Sequence, residues 1–192
     1  MFSTKAEMMN RKAQNFDSQP EKVLSSLTIE KGETIMDLGA GGGYYSIRLS
    51  EAVGENGRVF AVDTNSEMLD YMDHYIDLLQ KSNVETVRTK GGVPDVPDES
   101  CDLIFARNVF HHLDNPTMFF LALKSKLKPS GRVAILDYKP TNGFSFISLF
   151  KHHTDENDIV ESLDVAGFKP LKKFDFLKKQ SFTIFERKTE DQ

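Results

Sequence analysis

Asp37 opens a turn that carries Gly39, Gly41, Gly42 and Gly43, and Asp63 follows Gly43 by twenty residues. A carboxylate, clustered glycines and a second carboxylate at that spacing suit one kind of chemistry, the holding of a nucleoside-containing ligand. Glycines let backbone come close to the ligand, and a carboxylate pairs with ribose hydroxyls. A dinucleotide fingerprint would need a third glycine where Tyr44 stands, and a tyrosine there obstructs a pyrophosphate. No Gly-Lys-Ser/Thr follows, so the phosphate loop of the nucleotide hydrolases is absent as well.

Other residues that could do chemistry lie further along. His111 and His112 are adjacent, as are His152 and His153, and Asp137-Tyr138 ends an apolar run. Adjacent histidines suit a metal or a general base, but no coherent ligand spacing accompanies them, so no metal site is expected. Cys101 is the single cysteine; it permits no internal disulfide and sits in an apolar run as a small core residue would.

Short apolar runs alternate with helical periodicity along the chain and must position these residues. The patterns predict strands at 34–38, 59–62, 84–88, 102–106 and 132–136, several apolar throughout, as buried parallel strands are. Helices are predicted at 20–27, 44–53, 66–80, 116–127 and 155–166, with Pro20 suited to a first turn and Gly167 to a C-terminal cap. Residues 5–16 read as a short helix or a loose arm. Two alternating strands, 168–176 and 181–187, are joined by so short a link that they form an antiparallel hairpin at a sheet edge. The fold expected is a doubly wound α/β fold, a mostly parallel seven-stranded sheet with helices on both faces. Ligands of such sheets lie outside the carboxyl ends of the strands. Here those ends are 37–43, Asp63, 106–108 and 137–138.

The chain of 192 residues suits a single domain, with 1–30 as an N-terminal helical segment and 139–154 as a lid insert. Within the insert, Phe144, Phe146, Ile147, Leu149 and Phe150 read either as a buried helix or as an apolar wall over the site. A net charge of −5 gives no bulk attraction for nucleic acid. No run approaches the roughly 20 apolar residues of a membrane span, and the N-terminus lacks the apolar core of a signal peptide, so the expected compartment is the cytoplasm.

The order Asp37-x-Gly39-x-Gly41-x-Gly43 resembles motif I of the class I S-adenosylmethionine-dependent methyltransferases. The similarity continues through the acidic segment from Val59 to Leu69, the approach to strand four from Val96 to Ile104, and Val109-Phe110-His111-His112-Leu113. It extends to Leu127-Lys128-Pro129-Ser130-Gly131-Arg132-Val133, with Ser130 where glycine is commoner, and to Val165-Ala166-Gly167-Phe168. It spans residues 20–187 and is nearest the ubiquinone- and menaquinone-pathway group. The resemblance implies S-adenosylmethionine as methyl donor and a small-molecule acceptor. The donor site it implies comprises Asp37, Gly39, Ala40, Gly41, Gly43, Asp63, Thr64, Gly92, Val93, Arg107 and Asn108. Asp37 would orient the loop or meet the methionyl amino group. Asp63 would take the ribose hydroxyls, with capping of the helix at Ser66 as its other reading. Tyr44 and Tyr45 would lie near the sulfonium, where aromatic faces favour a cation, or pack as ordinary helix residues. The acidic residue that many relatives place after strand three is missing from Thr89-Lys90-Gly91-Gly92-Val93-Pro94, which leaves adenine to backbone groups of Gly91, Gly92 or Val93. His111, His112 and Tyr138 are the weak catalytic candidates. Two alternatives stand beside methyl transfer: a non-catalytic protein binding S-adenosylmethionine or S-adenosylhomocysteine, and an NAD-dependent oxidoreductase.

Overall fold

In the computed structural model, residues 4–140 and 153–189 are described. Among them, seven strands form one sheet in the order β3-β2-β1-β4-β5-β7-β6. These are β1 (Thr34–Leu38), β2 (Arg58–Asp63), β3 (Val84–Arg88), β4 (Cys101–Arg107), β5 (Leu127–Tyr138), β6 (Phe168–Phe174) and β7 (Gln180–Arg187). The first five run parallel, and β7 lies antiparallel between β5 and β6. The helices are α1 (Thr4–Gln14), α2 (Pro20–Ser26), α3 (Tyr44–Val53), α4 (Ser66–Leu78), α5 (Pro116–Leu123) and α6 (Glu156–Val165).

Successive side chains of a strand point to opposite faces, and the apolar strands divide accordingly. Ile35, Val59, Ala61, Leu103, Phe105, Ala134 and Leu136 join one core with residues of α2, α3 and α4. Met36, Phe60, Val62, Ile104, Val133 and Ile135 join the other, against Phe120, Leu123, Ile159 and Leu163 of α5 and α6. The sheet is covered on both sides, which is why its central strands have little need of polar residues. The same alternation turns Asp37 and Arg107 toward the α3 side and Asp137 toward the α5–α6 side.

Local signals set the helix ends. Asn65 accepts from Glu67 N at the start of α4, Asn115 from Met118 N at α5 and Asp155 from Asn157 N at α6. Gly167, at φ +88°, ends α6. The predicted helix 116–127 is shorter than expected. After Leu123 comes a 3₁₀ turn, and β5 then starts at Leu127, five residues before the predicted strand. Cys101 pairs with Leu127 but Leu103 with Arg132, so Lys128 to Gly131 bulge out of the ladder. Pro129 and Gly131 explain this, since neither supports a regular central strand. The N-terminal segment, left open between helix and arm, is the helix α1. Most of the expected lid, Phe144 to Phe150 and His152 included, lies outside the described residues.

Candidate functional site

The turn after β1 takes the left-handed backbone that favours glycine, with φ of +71° at Gly39, +56° at Gly41 and +82° at Gly43. Their Cβ directions are filled by the chain itself. A methyl group on Gly43 would meet Met72 Sδ at 2.8 Å, and one on Gly41 would meet Met9 Cε at 2.7 Å. The glycines are therefore required by the turn and by its packing, rather than only by an approaching ligand.

Five N–H groups of this turn and the helix start after it are committed internally. Gly39 N and Ala40 N donate to Val62 O, and Gly43 N to Ala40 O. Gly41 N donates to Asp63 Oδ2 at 2.8 Å. Tyr44 N, at the first turn of α3, donates to Asn10 Oδ1 at 3.2 Å, while Asn10 Nδ2 donates to Gly42 O at 2.8 Å. A pyrophosphate cradle needs unspent N–H groups at such a turn and helix start. This one has given those of Gly39, Ala40, Gly41 and Tyr44 to Val62, Asp63 and Asn10, which disfavours a dinucleotide.

Asp63 does not cap α4; Asn65 does. Asp63 Oδ1 instead accepts from Asn65 N at 2.9 Å, and its carbonyl accepts from Thr89 N at 3.1 Å. Both carboxylate oxygens are thus oriented by backbone at the rim of the turn, where the side chain is half-buried. Each keeps lone-pair capacity for a hydroxyl donor. Thr64 beside it is exposed. Across the rim, Thr89 Oγ1 donates to Gly92 O at 2.8 Å, and Gly91, Gly92 and Val93 are exposed, with open space about both glycines.

Asp37 sits beneath the turn, 3% exposed, accepting from Ser46 Oγ at 2.6 Å. Burial pushes its carboxyl from the ordinary 3.8 up to about 7; the Ser46 hydrogen bond and the Arg107 charge oppose this, and the Asp63 charge adds to it. Tyr45 is buried against Phe105, ring centroids 5.0 Å apart, with the Arg107 guanidinium 5.5 Å from its ring centroid. Its place near a cation is real, but that cation belongs to the protein. Burial raises the Tyr45 hydroxyl to about 12. Tyr44 packs edge-on against Tyr45. Two buried polar atoms here, Tyr45 Oη and Arg107 Nε, have no hydrogen-bond partner among the described residues. An orphaned buried donor is costly unless a ligand completes it.

At the ends of β4 and β5 the polar groups interlock. Asn108 has φ +56°, a strained position that asparagine tolerates better than most residues. Its N–H donates to Leu136 O at 2.7 Å, and Gln180 Nε2 donates to Asn108 Oδ1 at 2.6 Å. Asp137 accepts from His111 N at 3.0 Å and from Tyr138 N at 2.7 Å, and lies 2.7 Å from His111 Nδ1. The His111 and His112 rings are 4.1 Å apart; His112 is exposed and Tyr138 half-buried.

The structure therefore gathers Asp37, the glycine turn, Asp63, Thr89 to Val93, Arg107 and Asn108 along the carboxyl edges of β1, β2, β3 and β4. Sequence reasoning missed Asn10, Ser46 and Gln180. The signal for Asn10 was the spacing of Ala6, Asn10 and Ala13, all buried, which marks one face of α1. A cavity of about 360 Å³ lies elsewhere, lined by Thr117, Asp158, Glu161, Ser162 and Val165 of α5 and α6, and includes no predicted site residue. Among the described residues no cluster of histidine, cysteine or acidic groups could hold a metal, and no helix is long and apolar enough to cross a membrane.

Comparison with known proteins bears on this geometry. A family model described as a methyltransferase domain matches residues 29–188. An arsenite methyltransferase of Halobacterium salinarum is 29% identical over 149 residues, 73% of this chain and 38% of that protein. A ubiquinone/menaquinone biosynthesis C-methyltransferase of Pseudoalteromonas translucida is 32% identical over 121 residues, 61% of this chain and 47% of that protein. The chain thus spans less than half the length of these curated relatives. The crystal structure of a SAM-dependent methyltransferase from Aquifex aeolicus is 28% identical, with a TM-score of 0.82 over 93% of this chain and 96% of that one.

Proposed function

Since the chain belongs to the class I S-adenosylmethionine-dependent methyltransferase family, matched over residues 29–188, we propose that it transfers a methyl group from S-adenosylmethionine to a small-molecule acceptor. The observation that carries this reading is the pair of orphaned buried donors, Tyr45 Oη and Arg107 Nε, beside a glycine turn that spends the N–H groups of Gly39, Ala40, Gly41 and Gly43 internally. These residues fit an amino-acid end joined to a nucleoside. Arg107 and Tyr45 would take its carboxylate, Asp37 its ammonium, and Asp63 its ribose hydroxyls. Gly92 and Val93 would border the adenine.

The bound donor supplies a methyl group already activated by positive sulfur. The protein's part is alignment and exclusion of water, an effect that contributes about 7–11 kcal/mol where reacting groups are well oriented. Asn10 ties α1 across the glycine turn and closes one side of the site. Asn108, held at φ +56° by Leu136 and Gln180, sets the floor between β4 and β5.

Of the two acceptor chemistries named among the relatives, arsenic chemistry has less support in this chain. Trivalent arsenic favours soft thiolate ligands. Cys101 is the only cysteine, wholly buried at the start of β4, at the opposite end of the strand from Arg107, and burial pushes its thiol further up. An acceptor attacking through carbon, oxygen or nitrogen is favoured.

Calorimetry with S-adenosylhomocysteine and with NAD tests the donor. Micromolar binding of the first and none of the second is expected; the reverse result would return the protein to the oxidoreductases. Transfer of labelled methyl within a single turnover separates an enzyme from a protein that only binds.

A further inference from the structure

The strap of residues 15–19 joins α1 to α2 through a 3₁₀ turn, Phe16–Ser18. Phe16 is 90% exposed, so its ring contributes nothing to either core. Gln19 has φ +41° and ψ +53°, left-handed backbone at a residue that carries a Cβ and precedes Pro20, where extended backbone is favoured. Such backbone persists only where its surroundings impose it. Two ties impose it from the far end of the chain. Gln19 Nε2 donates to Phe176 O at 2.8 Å, and Lys179 pairs with Asp17 at 3.3 Å on an exposed surface, where ion pairs add little. A cavity of about 90 Å³ is lined here by Phe16, Asp17, Gln19, Lys178 and Lys179. It stands at the carboxyl edge of the sheet: Lys139 N, just past β5, donates to Lys179 O, and Gln180 holds Asn108.

A third tie reaches the donor site. Ser18 Oγ donates to Lys12 O at 2.9 Å and accepts from Arg107 Nη2 at 3.5 Å. A hydroxyl has one hydrogen, so the two roles are complementary: the hydrogen goes to α1 and a lone pair faces the guanidinium. At 3.5 Å the second contact is at the limit of a hydrogen bond. Arg107 Nε meanwhile is buried without a partner among the described residues. The guanidinium is planar and rigid, so a carboxylate taken at Nε also fixes the direction of Nη2 toward Ser18.

We infer that residues 15–19 are a latch that donor occupancy fastens through Arg107 and Ser18, and that the ring this latch holds, Phe16, borders the apolar side of the acceptor. Ser18 and Gln19 are its positioning residues. The inference rests on the donor reading above. The donor binds the fastened strap better than the open one, and fastening favours the donor by the same factor.

Hydrogen exchange on the whole chain tests the latch. The amides of Asn15, Asp17, Ser18 and Gln19 all donate hydrogen bonds, so their exchange reports opening of the strap. Saturating S-adenosylhomocysteine should slow it about fivefold, the low end of ordinary coupling between sites. Ser18→Ala should abolish the slowing and weaken S-adenosylhomocysteine binding by a similar factor in calorimetry, as reciprocity requires, and Ser18→Thr, which keeps the hydroxyl, should restore both. Binding that leaves the strap's exchange unchanged, or slows it equally in Ser18→Ala, overturns the latch. Failure to bind S-adenosylhomocysteine sinks the donor reading instead. The neutral fluorophore N-phenyl-1-naphthylamine then probes Phe16. With S-adenosylhomocysteine present it should bind the parent roughly fivefold or more tighter than Phe16→Ser, the effect of losing part of an aromatic contact. Phe16→Ser should melt like the parent, because the ring it removes is exposed. Equal binding of the fluorophore by the two overturns the place given to Phe16.

Discussion

Replacing Asp37 by asparagine should stabilise this protein and cripple its donor site together. The carboxyl is 3% exposed and its pKa stands at about 7 against an ordinary 3.8, chiefly through burial. The native state therefore holds this proton more tightly than the unfolded chain. Its contribution to stability is full below about pH 4 and is lost as pH rises through about 7. At about 1.4 kcal/mol for each tenfold in acidity, the gap corresponds to ~4 kcal/mol at pH 8, an upper figure because some water and relaxation reach any buried charge. Asparagine keeps an oxygen to accept from Ser46 Oγ and carries no charge to desolvate. For a chain of this size each kcal/mol moves Tm by ~2–4 °C, so Asp37→Asn should melt several degrees higher than the parent at pH 8 and with it at pH 4. Binding should move the other way. S-adenosylhomocysteine affinity of the parent should rise with pH through 7 as the carboxylate forms, and the variant should bind at least tenfold more weakly with a flat profile. Thermal melts and calorimetry at pH 4, 6 and 8 decide it. A variant less stable than the parent at pH 8, or an affinity in the parent that falls between pH 6 and 8, would refute the reasoning.

Asp63→Ala removes the acceptor of Gly41 N and Asn65 N along with the proposed ribose contact; hydrogen bonds to a charged group are worth about 1.5–3 kcal/mol, so S-adenosylhomocysteine binding should weaken at least tenfold by calorimetry. Gly43→Ala places a methyl group against Met72 Sδ at a φ of +82°; the left-handed backbone alone costs about 1–2 kcal/mol, and urea unfolding should show at least that loss. Asn10→Ala releases both hydrogen bonds from α1 to the glycine turn, and should speed hydrogen exchange throughout residues 4–14 while leaving the sheet protected. Cys101 should stay unreactive toward a thiol reagent at pH 8 in the folded protein, since it is wholly buried and its thiol is raised further by burial; modification at the rate of the unfolded chain would contradict its placement.

What the amino-acid order by itself determined is local. The strands predicted at 34–38 and 84–88 and the helix at 44–53 match the structure residue for residue, because strand and helical periodicity are written in nearest neighbours. The glycine turn and Asp63 were legible because their spacing is a property of one βαβ unit. Leu127 was read as the end of a helix because a bulge depends on the partner strand, and only the β4–β5 register reveals that Leu127 already pairs with Cys101. The site shows the same division. Tertiary structure alone brings Asn10 to Gly42 across 32 residues, His111 to Asp137 across 26 and Gln180 to Asn108 across 72. No local pattern encodes such pairs, since each side chain is positioned by its own element and the elements meet only when both faces of the sheet are covered. For the same reason, the packing of Phe105 and Arg107 around the Tyr45 ring, with its hydroxyl left unpartnered among the described residues, was not readable from its helix.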